Sequence, residues 1–117
     1  MKVEAEINIS ERAIKGKLEA LLDDETMLEI NQLFADMCDP YVPFKTGALA
    51  DVKVTPQGID YDVPYARKQY EGEFQHNLTI HPLATSFWDK VMLSEHYDEY
   101  TMGVRDILIR RAKELYG

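Results

Sequence analysis

The chain has little of the chemistry that builds disulfides, metal centres or phosphate-binding loops. It contains one cysteine, Cys38, so no intrachain disulfide can form and a reducing cytosol is the expected place of synthesis. The three histidines, His76, His81 and His96, have spacings that fit neither a zinc-binding helix nor a zinc finger. The six glycines are scattered and form no phosphate-binding loop. We therefore expect no metal, no cofactor and no catalytic residue.

Long apolar runs and positive charge are also scarce. No run approaches the length needed to cross a bilayer, and the first residues, Met1–Glu4, lack an apolar signal core, so we expect no Sec-type export. The 117 residues include 13 basic and 21 acidic side chains, a net charge of −8. This balance disfavours wrapping of duplex DNA and binding to an anionic membrane surface. We expect no sequence-specific nucleic-acid binding and no membrane partner.

The charges are unevenly distributed along the chain. No Lys or Arg occurs between Lys17 and Lys45, whereas the C-terminal end carries Arg105, Arg110, Arg111 and Lys113. Opposite-sign ends could attract one another in head-to-tail assembly. The alternative is a solvated acidic face together with basic residues that complement a helix C-terminus. On charge alone we favour the alternative.

Hydrophobic periodicity predicts a strand and two helices in the first third. Residues 3–9 alternate between apolar and polar, which is typical of a half-buried strand. Residues 11–22 have a helical apolar spacing, weakened by Gly16. A helix over 25–38 should follow an acidic start and bury one apolar stripe, and Pro40 and Pro43 should prevent its continuation. The stripe consists of Met27, Ile30, Leu33, Phe34 and Met37.

The remaining chain predicts a hairpin and further helices. Residues 51–63 alternate around the turn sequence Thr55–Gly58, and Pro64 suits the first turn of a short helix that ends at Gly72. Another helix should begin at His81–Pro82, with Phe87 and Trp88 in its apolar stripe, and a last one should run near 98–115. These last two helices are either continuous or broken around residues 94–96. The prediction is one α+β domain over 1–117, with a small antiparallel sheet of the N-terminal strand and the hairpin packed against three or more helices.

The residues that could act as a nucleophile or bind a cation have simpler structural interpretations. Cys38 lies at the inner end of an amphipathic helix, where a small buried thiol is common. Asp60, Asp62, Glu71 and Glu73 are close in sequence and could bind a cation as a group, but the two aspartates should face solvent on the hairpin. We favour the structural interpretation in both cases.

Aromatic residues crowd the middle of the chain. Stacking on single-stranded nucleic acid would need interleaved basic residues, which are few here, so core packing and a protein–protein surface fit better. The candidate interface residues are Tyr41, Phe44, Lys45, Tyr65, Arg67, Tyr70 and Phe74. The extended connector after the second helix should turn at Pro43, Thr46 and Gly47.

Three ordered motifs carry a resemblance to a known family. They are P-x-x-T-G-x-L within residues 40–49, P-Y-A-R-x-x-Y-x-G within 63–72, and A-T-x-x-W-D-K within 81–90. In order and spacing, residues 25–117 resemble the phage and prophage minor capsid proteins of tailed phages of Gram-positive bacteria, which are head–tail connector or neck-type proteins. Residues 1–22 lie outside the motif-bearing region.

The resemblance implies a structural virion protein of the neck that is not an enzyme. It implies that the protein is made in the bacterial cytoplasm and that its copies form a ring at the head–tail junction of the particle. The isolated protein could still be a monomer. The implied partners are other copies and the head-completion, adaptor, tail-tube or terminator proteins. An alternative function is an acidic, phage-encoded DNA mimic that inhibits a host nucleic-acid enzyme, a role that would need acids spaced like phosphates on one face.

Overall fold

The computed structural model describes residues 1–5, 21–42, 52–62, 66–72 and 85–116. In these ranges a three-stranded antiparallel sheet packs against two long helices and a short one. This confirms the predicted α+β class. The predicted helix over 11–22 and the turn at Pro43, Thr46 and Gly47 lie outside the described residues, apart from the last two residues of that helix.

The sheet has the hairpin at one side and the N-terminus at the other. Its strands are β1 (Lys2–Val3), β2 (Val52–Thr55) and β3 (Gly58–Tyr61), in the order β1-β3-β2. Ile59 lies opposite both Val3 and Val54, so β3 is the central strand. Alternation buries Ile59 and Tyr61 and leaves Asp60 exposed, as predicted for the hairpin. The N-terminal strand is shorter than expected, because Glu4 and Ala5 already lie outside β1.

Helix α1 (Asp24–Cys38) follows the predicted start and stop signals. The Asp23 carboxylate accepts a hydrogen bond of 2.9 Å from the backbone N–H of Thr26 and caps the helix. After Cys38 the chain tightens into a 3₁₀ turn, Asp39–Tyr41, because Pro40 cannot continue an α-helix. Ile30 and Phe34 form the buried centre of the predicted stripe, and Asn31 fixes the hairpin by donating to Thr55 O at 2.8 Å.

Helix α2 (Ala66–Glu71) ends at Gly72, whose φ of +82° suits glycine, as the sequence predicts. Helix α3 (Trp88–Tyr116) begins later than expected. Residues 85–87 are not helical, because Phe87 has a φ of +49° and its N–H donates to Tyr70 O at 2.9 Å. The prediction that the helix already includes Phe87 is therefore wrong.

The alternative left open for residues 94–96 is decided by a break in helical geometry at His96, and α3 is therefore two helical segments joined by a kink. His96 has φ −128° and ψ 29° inside α3, while the helix runs on to Tyr116. Helices α1 and α3 pack antiparallel, since Phe34 meets Tyr100 edge-to-face at 5.3 Å while Arg111 reaches Thr26. The core between these helices and the sheet centres on Trp88, Tyr61, Phe34, Ile30, Ile59 and Met92.

Candidate interaction surface

An open cleft of about 360 Å³ lies where the N-terminus, α2 and the first turn of α3 meet. The N-terminus is held there by the sheet, because Met1 O accepts a hydrogen bond of 2.8 Å from Tyr61 N–H. The terminal ammonium lies 3.5 Å from Asp60 Oδ1. The cleft is lined by Met1, Lys2, Val3, Glu4, Arg67, Tyr70, Glu71, Asp89 and Lys90.

Tyr70 joins α2 to α3 at the floor of the cleft. Its hydroxyl donates to Asp89 Oδ1 at 2.7 Å, and its ring meets Trp88 edge-to-face at 4.8 Å between centroids. Burial, followed by the hydrogen bond to Asp89, raises the pKa of Tyr70, so the phenol stays protonated and keeps donating. This contact fixes the position of α2 relative to the start of α3.

Phe87 stands at the rim of this contact with an exposed ring. Its side chain is 46% exposed, and its ring meets Tyr70 edge-to-face at 4.9 Å. A φ of +49° is uncommon for a bulky residue and is held here by backbone hydrogen bonds: Phe87 N–H donates to Tyr70 O, and Phe87 O accepts from Lys90 and Val91 N–H. The fold therefore exposes a large aromatic side chain to solvent on a residue with a strained backbone conformation.

The cleft carries both signs of charge. Lys2, Arg67 and Lys90 are exposed, and they line the cleft together with Glu4, Glu71 and the half-buried Asp89. The cleft has few apolar side chains to bind a small apolar ligand. Charged residues of both signs beside an exposed aromatic ring are instead typical of a surface that binds another protein. The arrangement is suited to docking.

The described residues offer no comparable support for a metal site or a reactive thiol. Within the described ranges, no group of three His, Cys, Asp or Glu residues is arranged to hold a metal ion. Cys38 is completely buried, and burial raises the pKa of its thiol, so it is a core thiol as predicted. None of the helices in those ranges has the length and apolar character to span a bilayer.

Comparison with known families decides the identity. A family model described as "Minor capsid protein" matches residues 1–105. The chain belongs to this minor capsid protein family. No curated protein and no solved structure matches it significantly. The match extends the resemblance to residues 1–22, which the sequence motifs had left out, and it makes this protein a structural component of the virion.

Two of the predicted interface residues of this minor capsid protein line the cleft. Arg67 is exposed at its rim and Tyr70 lies half-buried at its floor. Tyr41 lies elsewhere and is only 5% exposed, so little of its ring is available to a partner. The other candidates lie outside the described residues: Phe44, Lys45, Tyr65 and Phe74.

Tyr41 is bound instead to the kink of α3. Its hydroxyl donates to Glu95 Oε2 at 2.7 Å and lies 2.8 Å from His96 Nε2. The hydrogen bond to Glu95, followed by burial, raises the pKa of Tyr41. His96 Nδ1 in turn lies 3.3 Å from Glu99 Oε1. This cluster ties the end of α1 to the point at which α3 bends.

The acidic and basic ends of the chain meet within one subunit. Arg111 binds Asp23 at 3.0 Å and Glu25 at 3.3 Å, and its Nε donates to Thr26 Oγ1. Arg110 forms a salt bridge with Glu29. We name these contacts between the N-terminal half of α1 and the C-terminal end of α3 the terminal clamp. Because the clamp uses these charges internally, their opposite signs give no argument for head-to-tail contacts.

The residue that the sequence missed is Phe87. Its apolar spacing with Trp88 and Val91 matched a helix and therefore predicted a core position. The signal that could have corrected this is Thr85–Ser86, a pair typical of the residues just before a helix. With the helix start placed after that pair, Phe87 falls at the exposed helix entrance.

Proposed function

We propose that this minor capsid protein is a structural, non-enzymatic adaptor of the head–tail connector, in which copies form a ring between head and tail. The observation that carries the proposal is the cleft with mixed charge, together with the exposed Phe87, whose ring contacts the cleft-lining Tyr70, on a chain of a capsid family. Interfaces concentrate their binding energy in aromatic and arginine residues, and Phe87 and Arg67 are of these types. The cleft is then a contact surface for a neighbouring virion protein.

A ring needs heterologous contacts, in which one surface meets a different surface of the neighbour. The cleft fits one side of such a contact, because its charges of both signs orient a partner and Phe87, packed against the cleft-lining Tyr70, supplies an apolar anchor. The net charge of −8 also keeps a subunit from adhering to the DNA that passes through the neck. These properties favour a neck adaptor over a DNA mimic, since the terminal clamp neutralises several of the acids of α1.

Location in the particle tests the proposal directly. Virions carrying an epitope-tagged copy would be labelled with antibody and imaged by electron microscopy. We expect the label at the head–tail junction of each particle. Label spread over the whole head shell, or found only at the tail tip, would contradict the neck position.

Variants of the cleft test the contact surface. Phe87→Ala removes the exposed ring and Arg67→Glu reverses one rim charge, so we expect separate heads and tails to accumulate in place of joined particles. Leu28→Ala, an exposed apolar residue on α1 away from the cleft, is the matched control and should give joined particles. If heads and tails joined normally in both cleft variants, the cleft would not be the contact surface.

A further inference from the structure

The C-terminal part of α3 carries a row of exposed apolar side chains. Met102, Ile109 and Tyr116 are 61%, 43% and 62% exposed. They are seven residues apart, so they lie on one face of the helix. The opposite face holds Tyr100, Val104 and Arg111, which are buried against α1. We name the three exposed residues the outer stripe.

Four charged residues accompany the outer stripe, and their signs are antisymmetric about the point between Arg105 and Asp106. Asp98, Arg105, Asp106 and Lys113 are all exposed, and at about 100° per residue they fall with the stripe within roughly a third of the helix circumference. The salt bridges that α3 makes with described residues, within the helix or to α1, use other residues of the helix: His96, Glu99, Arg110, Arg111 and Glu114. From the point between Arg105 and Asp106, each charge has an opposite charge at the same distance along the helix.

We propose that the outer stripe is the contact surface for a second copy of this chain, packed antiparallel about a two-fold axis between Arg105 and Asp106. In this arrangement Met102 lies level with Ile109 of the second copy. Asp98 then lies level with Lys113, and Arg105 with Asp106. In a parallel pair each charged residue would lie beside the same residue of the second copy, and the like charges would repel. Charge repulsion therefore favours the antiparallel pair.

The contact is small and separate from the cleft. One helix face buries an area at the low end of stable interfaces, roughly 1,200 Å² or less, so we expect a Kd in about the micromolar range. The repulsion between two chains of charge −8 is screened beyond about 8 Å at physiological ionic strength. An isologous contact closes at two copies and cannot build a ring. The pair is therefore an addition to the ring contacts of the proposed function and does not depend on them.

Sedimentation equilibrium of the full chain over a wide concentration range tests the pairing. We expect a monomer–dimer equilibrium, and Ile109→Glu should raise Kd by at least about tenfold because it places a charge in the centre of the stripe. Leu28→Glu, at an exposed leucine of α1, is the matched control and should leave Kd unchanged. A monomer at all concentrations, or a dimer that Ile109→Glu does not weaken, would overturn the proposal.

Charge exchange and cross-linking test the antiparallel register. Asp98→Lys and Lys113→Asp should each weaken the dimer, and the double variant should restore it. With a short bismaleimide, a mixture of Met102→Cys and Ile109→Cys chains should link efficiently while neither variant links to itself, and buried Cys38 should not react. Self-linking of Met102→Cys alone would indicate a parallel pair and overturn the register, as would a double variant no tighter than the single ones. Circular dichroism confirms that each variant is folded.

Discussion

Gly58 occupies a place in the sheet where two backbones come close. A Cβ atom at this position would lie 2.7 Å from Val3 O, and the φ of +152° disfavours a side chain. We expect Gly58→Ala to lower the free energy of unfolding by about 1–3 kcal/mol, because the backbone of β1 cannot move aside without losing its pairing with β3. Urea unfolding measures this change.

Gly103 is the matched control for this prediction. Its Cβ would also approach at 2.7 Å, but towards Leu33 Cδ2, the end of a flexible side chain. Alanine is favoured over glycine in a helix by about 1 kcal/mol, so Gly103→Ala should stay within about 1 kcal/mol of the parent. Equal losses in the two variants would show that the close approach of β1 is not what requires Gly58.

Asp23 makes stability depend on pH in the acid range. Its hydrogen bonds from Thr26, with Arg111 nearby, lower the pKa of Asp23 below its ordinary value of 3.8. The folded state then binds fewer protons than the unfolded state as the pH falls from about 5. The contribution of this group is present above the ordinary pKa and is lost as the pH falls through the folded pKa.

We therefore expect the melting temperature of the parent protein to fall between about pH 5 and pH 3. The melting temperature of the Asp23→Asn variant should fall less steeply over the same range. Asparagine still caps the helix but does not titrate, so the variant isolates the ionisation from the cap. Thermal unfolding followed by circular dichroism at a series of pH values checks this. Parallel curves for the two proteins would assign the acid loss to other carboxylates, of which Glu114 also has a lowered pKa.

The bend in α3 is contacted by a side chain from outside the helix. Tyr41 binds Glu95 and His96 at the position where the helix departs from regular geometry. We expect Tyr41→Phe to cost about 1 kcal/mol in the free energy of unfolding, because it removes these hydrogen bonds and keeps the buried ring. Urea unfolding of Tyr41→Phe, Glu95→Gln and the double variant measures the coupling.

Additive losses in this double-variant cycle would show that Tyr41 and Glu95 do not act as a pair across the bend. A coupled result would instead yield a double loss smaller than the sum of the single losses. The Tyr41 hydroxyl also lies 2.8 Å from His96 Nε2, so the side-chain NMR signals of His96 should shift on Tyr41→Phe even if the free energy changes little.

Elements with a complete local signal could be predicted from the sequence. Helix α1 has an acidic cap, a periodic stripe and terminating prolines, and the hairpin has alternation around a turn, so both lie close to their predicted bounds. The start of α3 could not be predicted from periodicity, because the φ of Phe87 depends on a hydrogen bond to Tyr70 on another element. The bend at His96 likewise coincides with a contact from Tyr41, which is distant in sequence.

The candidate surface was predictable only in part for the same reason. Arg67 and Tyr70 are among the interface residues that the sequence predicts, and both line the cleft. The cleft also needs β1 and the first turn of α3, which tertiary packing brings beside α2. The partners of Arg110 and Arg111 could not be predicted, since the sequence does not tell which acidic residues an antiparallel helix places beside them.

At the scale of the whole molecule, the terminal clamp joins the two ends of the described core. Arg110 and Arg111 lie beyond residue 105, where the family match ends, yet they bind Asp23, Thr26 and Glu29 in the first half of α1. Glu114 accepts hydrogen bonds from both arginines. A chain that stops after Arg105 would keep the contact between Phe34 and Tyr100 and lose the clamp. The N-terminal turns of α1 would then have no charged partner on α3.

We expect this shortened chain to melt at a lower temperature and to lose amide-exchange protection first in the N-terminal turns of α1, while protection in β3 falls less. A chain that stops after Glu114 is the matched control, because it keeps the clamp and removes only Leu115, Tyr116 and Gly117. Both are measured by hydrogen exchange at a concentration low enough to hold them as monomers. Equal protection of α1 in the two chains would mean that the family-matched region folds without the clamp.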